Sequence, residues 1–268
     1  MRTIFYCFFI LLITCPALAA SPCATDAPCS PALVDSVIID EETTGFDINV
    51  NYPVLCSEEA TRTIRDAVLN GLNKFKLIHP DHDLTDFPHR YTMDTRYAVQ
   101  SAANGRLASV LLHVSVYTGG AHGNHWPVTW LFEMGRGQQV FLSDIFTDAQ
   151  QGLHAITPMV RQQLRDKLKE WTAEDMLLDG TTPVLSNYED FLVSDEGMTF
   201  HFAHYQVAPY AAGEQTVFIP WADIRQLVRP EFMAVFLSGA EVSARNKAND
   251  KARRDSHGGP CSGLITTD

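Results

Sequence analysis

The sequence predicts an α+β fold of antiparallel sheets with segregated helices, arranged as two packed subdomains. Three observations carry this. β-forming runs come in blocks joined by turn signals, at 34–142 and 191–220. The long amphipathic helical patterns fall between runs of strands and do not alternate with single strands. Hydrophobic residues make up 46% and charged residues 19% of 268, the composition of a globular chain with a core rather than of a disordered one.

Residues 34–55 alternate around Thr44-Gly45 and predict two strands joined by a short turn. Ser57 suits a helix N-cap, and Glu58 and Glu59 suit the positive end of a helix dipole. Ile64, Val68, Leu72 and Phe75 share one face, so an amphipathic helix is expected over 58–78. His79-Pro80-Asp81-His82-Asp83 ends it. Residues 91–103 and 106–118 flank Asn104-Gly105, the strongest short hairpin signal because both turn residues must reach positive φ. Strands at 127–134 and Gln138–Leu142 extend this into an antiparallel meander.

Thr157-Pro158 offers a cap and first residue for a second helix, with Ile156, Val160, Leu164, Leu168 and Trp171 on its buried face. A loop is expected at 172–187. Strands follow at Phe191–Val193, Met198–Phe202 and Val217–Pro220, then a short helix near 222–229 and a strand-like Phe232–Leu237. No repeat is present. No Gly-rich loop joins a strand to a helix, so nothing supports a dinucleotide or P-loop site.

The N-terminus has the make-up of a secretory signal peptide: Arg2, an apolar run from Ile4 to Ile13, and small residues at Ala17-Leu18-Ala19-Ala20. The run is too short for a bilayer of roughly 30 Å, and no other stretch reaches that length, so no stable membrane span is expected after cleavage. Leu12-Ile13-Thr14-Cys15 matches a lipoprotein cleavage box poorly, and a lipoprotein is not expected. The mature protein is expected to be exported, to the periplasm or outside the cell.

Removing residues 1–20 takes away Arg2 and no acid, moving the net charge from −12 to −13. That balance excludes a nucleic-acid binder, which needs clustered cations. It suits a basic partner. Four cysteines stay: Cys23, Cys29, Cys56 and Cys261. In an exported chain an even count reads as two disulfides, with three pairings open. At least one bridge would tie the C-terminal tail to the N-terminal region or to Cys56.

Chemistry concentrates in two places. Tyr117-Thr118-Gly119-Gly120-Ala121-His122-Gly123-Asn124-His125 packs glycines round a histidine at a strand end, letting the backbone bend tightly. His113, His122 and His125 could supply nitrogen ligands for zinc, or the loop could be a glycine bulge without metal. Tyr205 to Gly213 sets two tyrosines round Pro209 and small residues, either as a packed connection or as a recognition surface. The His79–Asp83 stretch, with Asp86 and His89 behind it, reads as a solvated polar loop. No Gly-x-Ser-x-Gly elbow exists, and no catalytic residue, metal centre or cofactor is assigned.

Three ordered elements resemble the family called domain of unknown function 3298. They are Tyr117–Gly123, Gln139–Phe146, and Gly197-Met198-Thr199-Phe200 through Tyr205–Gly213, together covering about 110–228. Gln206 stands where that family often has Glu. Residues 34–105 are similar to the small α+β domain that often precedes it. The chain thus divides into a signal peptide at 1–20, a Cys-containing segment at 21–33, two folded parts and a polar, charged tail at 239–268; the resemblance implies that the folded parts are a small PdaC/RsiV-like α+β domain at 34–108 and an RsiV-like α+β domain at 109–238.

Such domain pairs occur in exported proteins, in a lysozyme-sensing anti-sigma factor and beside peptidoglycan deacetylases. The resemblance therefore implies a non-catalytic envelope module that binds a lysozyme-like basic protein or peptidoglycan. The expected binding residues are Tyr117, Gly119, Gly120, His122, Tyr205, Pro209 and Tyr210. The rival is a metal-dependent hydrolase of envelope glycan using His113, His122 and His125.

Overall fold

The computed structural model describes residues 32–78 and 89–236. The fold class is α+β. A six-stranded sheet is built from β1 (Leu33–Glu42), β2 (Phe46–Leu55), β3 (Tyr91–Ala102), β4 (Leu107–Tyr117), β5 (Asn124–Glu133) and β6 (Gln138–Gln139), hydrogen-bonded in that order. The expected signal peptide, Cys23, Cys29, Cys261, the His79–Asp83 stretch and the tail from 239 lie outside the described residues.

The first helix, α1 (Glu58–Ile78), forms as its sequence dictates. The Ser57 hydroxyl accepts from the Ala60 amide at 3.3 Å, and Ala60, Ile64, Val68, Leu72 and Phe75 are buried. Gly137, at φ +67°, passes so close to this cap that an added Cβ would lie 2.0 Å from Ser57 Oγ. α1 connects β2 to β3, and those two strands pair in parallel (Phe46↔Tyr91 to Asn49↔Asp94), whereas every other strand pair among the described residues is antiparallel. The sheets are antiparallel as expected except at β2–β3, where a helix-long crossover permits parallel neighbours. At the β3–β4 turn, Ala103, Asn104 and Gly105 all have positive φ (52°, 56° and 83°), as the Asn-Gly signal requires.

Past the sheet, α2 (Leu142–Ile145) and α3 (Ala149–Leu168) lead to α4 (Glu174–Gly180), and a three-stranded sheet follows in the order β7 (Phe191–Val193), β8 (Gly197–Phe202), β9 (Gln215–Pro220). α5 (Trp221–Ile224) and a helical turn over 230–236 end the described chain.

Several boundaries differ from expectation. α3 begins eight residues before Thr157, because Asp148 caps it by accepting from the Gln151 amide at 2.9 Å. Pro158 is thus inside the helix, and Thr157 is a buried helix residue bonded to the Leu153 carbonyl at 2.7 Å. Trp171 is exposed, since Lys169 at φ 50° turns the chain out of the helix before it. α4 occupies part of the expected 172–187 loop, β5 starts at Asn124 and not 127, and β6 keeps only two of the five residues expected to be strand. Residues 232–236 are helical and pack Phe232 and Phe236 on Trp221, so their apolar run reflects helix burial and not a strand.

Two hydrophobic cores result. One fills the space between α1 and the six-stranded sheet. The other gathers α3, the small sheet and the helical turns round Tyr188, Phe146, Phe200 and Phe202, and reaches Leu107 and Leu131 of the large sheet. Strand alternation divides β4 and β5 between two environments. Leu112, Val114 and Val116, with Trp126, Val128 and Trp130, face α1. Ser109, His113, Ser115 and Thr129 sit on the other face, and three of them reach the 189–214 region: Ser109 clamps Val193 both ways (2.9 and 3.2 Å), Thr129 donates to Asp190, and His113 faces Glu214.

Candidate functional site

The two motifs singled out in the sequence meet in space. The loop after β4 needs its glycines: Gly119 and Gly120 take φ 94° and 100°, a region side chains rarely adopt. An added Cβ at Gly120 would meet nothing within 4 Å, so conformation and not crowding selects glycine there. Tyr117 ties the bend by donating its hydroxyl to the Gly120 carbonyl at 3.0 Å.

The bend presents His122 to the segment after β8. The imidazole stacks on Tyr210, with centroids 4.0 Å apart and planes 20° apart. The Gly123 carbonyl accepts from Tyr210 Oη at 2.9 Å and from His122 Nδ1 at 2.9 Å. A carbonyl only accepts, so Nδ1 carries a proton, and in the neutral ring Nε2 is left as the acceptor. It faces Tyr205 Oη at 3.4 Å. Tyr205 and Tyr210 lie 5.4 Å apart, and Tyr205 is 54% exposed.

Tyr205 holds φ 66°, unusual for a residue with a Cβ. Gln206 fixes it there. Its amide oxygen accepts from Ala203 N at 3.1 Å, and its Nε2 donates to the carbonyls of Gly180 (3.2 Å) and Asn187 (3.0 Å). Gly180 is part of the clamp, since a Cβ there would lie 1.9 Å from the Gln206 carbonyl oxygen. Pro209 opens the turn holding Tyr210, and Ala212 N returns to the Pro209 carbonyl at 2.9 Å.

Beside this aromatic patch lies a polar group that sequence reasoning missed. Glu214 bridges two histidines: Oε1 to His201 Nδ1 at 2.7 Å and Oε2 to His113 Nδ1 at 3.4 Å. Burial pushes the Glu214 carboxyl upward, but the His201 hydrogen bond and the charges of His113, His201 and His204 outweigh it and hold it below its ordinary value. His201 Nε2 and His204 Nδ1 are buried without a hydrogen-bond partner. His204 packs on Tyr210 at 4.7 Å and on His125 at 5.7 Å. The signal for His201 was available, because alternation in Met198–Phe202 sets it on the face opposite Phe200 and Phe202.

The three histidines of the metal hypothesis go separate ways. His113 pairs with Glu214, His122 stacks on Tyr210, and His125 Nδ1 bonds Ser115 Oγ at 2.8 Å across the strand pair. Among the described residues no group of three or more His, Cys, Asp or Glu is placed to hold a metal ion. The arrangement offers a partly exposed aromatic platform with hydroxyl rims, flanked by imidazoles and one carboxylate.

Fold and site define the class first: an α+β protein in which a glycine-bent loop of a large sheet is joined to the loop of a small one by stacked rings. Residues 143–222 match the family described as Protein of unknown function (DUF3298). It is 24% identical over 234 residues to the peptidoglycan-N-acetylmuramic acid deacetylase PdaC of Bacillus subtilis, covering 87% of this chain and 48% of that one. The chain thus spans about half the length of that relative. It is 23% identical over 184 residues to Esterase Rv3036c of Mycobacterium tuberculosis, covering 68% of this chain and 78% of the esterase.

Among solved structures, a DUF3298 protein from Pseudomonas aeruginosa shares the fold with a TM-score of 0.50 at 14% identity, over 73% of this chain and 92% of the other. A DUF3298 member from Bacteroides fragilis gives 0.49 at 18% identity, over 74% and 94%.

Proposed function

We propose that the protein is an exported cell-envelope module that binds peptidoglycan glycan at the His122–Tyr205–Tyr210 surface without catalysing a reaction on it. The observation that carries this reading is the stack of His122 on Tyr210 beside the exposed Tyr205. Flat amphipathic rings with hydroxyl edges suit a sugar, which has an apolar C–H face and a hydroxyl rim. The deacetylase named for peptidoglycan supports the same ligand class. In this reading the mature protein is periplasmic or extracellular, needs no cofactor, and has its four remaining cysteines paired. Its charge of −13 also suits a lysozyme-like basic protein, the competing ligand.

Calorimetric titration of the mature protein with muramidase-released peptidoglycan fragments, and separately with lysozyme, tests the proposal. The expected result is saturable binding of the fragments, weakened about tenfold by Tyr205→Ala. Silence toward the fragments overturns it, and binding of lysozyme alone transfers the surface to a protein partner.

A second reading, an acyl-ester hydrolase, has one observation in its favour: Ser115 Oγ lies 2.8 Å from His125 Nδ1, the contact a nucleophile makes with its base. A relative named as an esterase adds to it. Turnover of p-nitrophenyl acetate that is abolished by Ser115→Ala would establish this reading, and turnover unchanged in that variant would remove it.

A further inference from the structure

On the opposite face of the same strands, between α1 and the sheet, lies a cavity of about 330 Å³. It is separate from the surface described above, and the inference drawn from it does not rest on the glycan reading. Its lining is apolar apart from Thr95 and Lys74. The Thr95 hydroxyl is already used, bonding the Asn51 amide and carbonyl at 2.8 Å each. Lys74 forms no ion pair among the described residues, whereas Lys76, two residues on, is paired with Glu41. At the rim, Trp126 is 38% and Ile78 57% exposed, so apolar surface continues from the cavity to solvent.

Gly71 supplies a second, independent observation. It sits well inside the 21-residue α1, where glycine costs about 1 kcal/mol relative to alanine. Neither neighbours nor backbone conformation require it: an added Cβ would meet nothing within 4 Å. What the missing side chain does is leave the helix wall of the cavity open.

We propose that this cavity binds the hydrocarbon chain of a free fatty acid, with its carboxylate at Lys74. The volume suits one chain of about twelve carbons and not a two-chain lipid, at the small end of ligand sites. One ammonium in an otherwise apolar lining matches one carboxylate.

The test uses purified mature protein and bromine-labelled dodecanoate, which quenches the lining Trp126 and Trp130 on binding. Saturable quenching is expected. Gly71→Phe fills the space and should weaken binding about tenfold or more while the unfolding transition is kept; Gly71→Met serves the same purpose should the larger ring prevent folding. Lys74→Gln should weaken dodecanoate about two- to fivefold, as loss of an exposed ion pair does, and leave dodecanol unchanged. The absence of saturable quenching overturns the proposal. So does quenching that Gly71→Phe does not alter, or association with phosphatidylglycerol vesicles in the absence of dodecanoate binding.

Discussion

The His122 imidazole lies on the Tyr210 ring, and both side chains bond the same carbonyl, that of Gly123. One acceptor thereby joins two segments 87 residues apart in the chain. Tyr210→Phe keeps the stack and deletes one of these bonds. It should cost about 1 kcal/mol of stability in chemical denaturation. Tyr210→Ala removes the stack as well and should cost more. Equal losses in the two variants would show that the ring contact contributes nothing.

Asp190 is a carboxyl whose environment disfavours its charge. Burial and the neighbouring Glu189 raise it, against the Thr129 hydrogen bonds and His201, to about 6. A carboxyl raised in the folded state binds its proton more tightly there than in the unfolded chain. Stability therefore falls as pH rises from about 4 to about 6, by up to about 3 kcal/mol. Asp190→Asn removes that slope. The variant should match the parent near pH 4 and exceed it at pH 7 in thermal unfolding.

Tyr188 is fully buried, with edge-to-face contacts to Phe200 and Phe202. Its hydroxyl donates to the Thr181 carbonyl at 3.1 Å and lies 2.9 Å from Thr157 Oγ. Burial raises its titration above the ordinary tyrosine value. Tyr188→Phe keeps the packing and removes both hydroxyl contacts while Thr157 keeps its bond to the Leu153 carbonyl, so a loss of about 1 kcal/mol is expected by urea denaturation. Tyr188→Ala should cost about 3–5 kcal/mol through the cavity it leaves.

Gly180→Ala should disturb Tyr205 without touching it. The added methyl meets the Gln206 carbonyl, and that residue holds the strained turn. A stability loss of more than about 1 kcal/mol, together with a changed Tyr205 ring environment by NMR, is expected. An unchanged Tyr205 signal would show that the clamp does not set its conformation.

The cysteine reading has a direct chemical check. Non-reducing mass spectrometry of the mature protein should find no free thiol at Cys23, Cys29, Cys56 or Cys261. Two stable free thiols would break the two-bridge framework.

Local signals were legible and long-range ones were not. The cap at Ser57, the apolar face of α1 and the turn at Asn104-Gly105 are each written within a few residues, and the structure forms all three. Both motifs of the site could be picked out by their glycines and tyrosines. Their contact depends on how β4, β5 and β8 are arranged, which no local pattern encodes. Glu214 illustrates the difference: a single acid in sequence, it becomes notable only when His113 and His201 are brought to it. Thr157-Pro158 is the stronger helix-start signal in the sequence, while Asp148 marks the true start of α3 with one carboxylate.

The division of β4 and β5 by alternation makes these strands a partition one chain thick. Imidazoles and hydroxyls line one side, and valines and tryptophans line the other. Inserting a single residue early in β4 would exchange that strand's share of the two linings, burying His113 and Ser115 against α1 and turning Val114 toward Glu214. Inserting two would restore the order. Length changes in these strands should therefore be tolerated in even steps only, because an odd step damages both compartments at once.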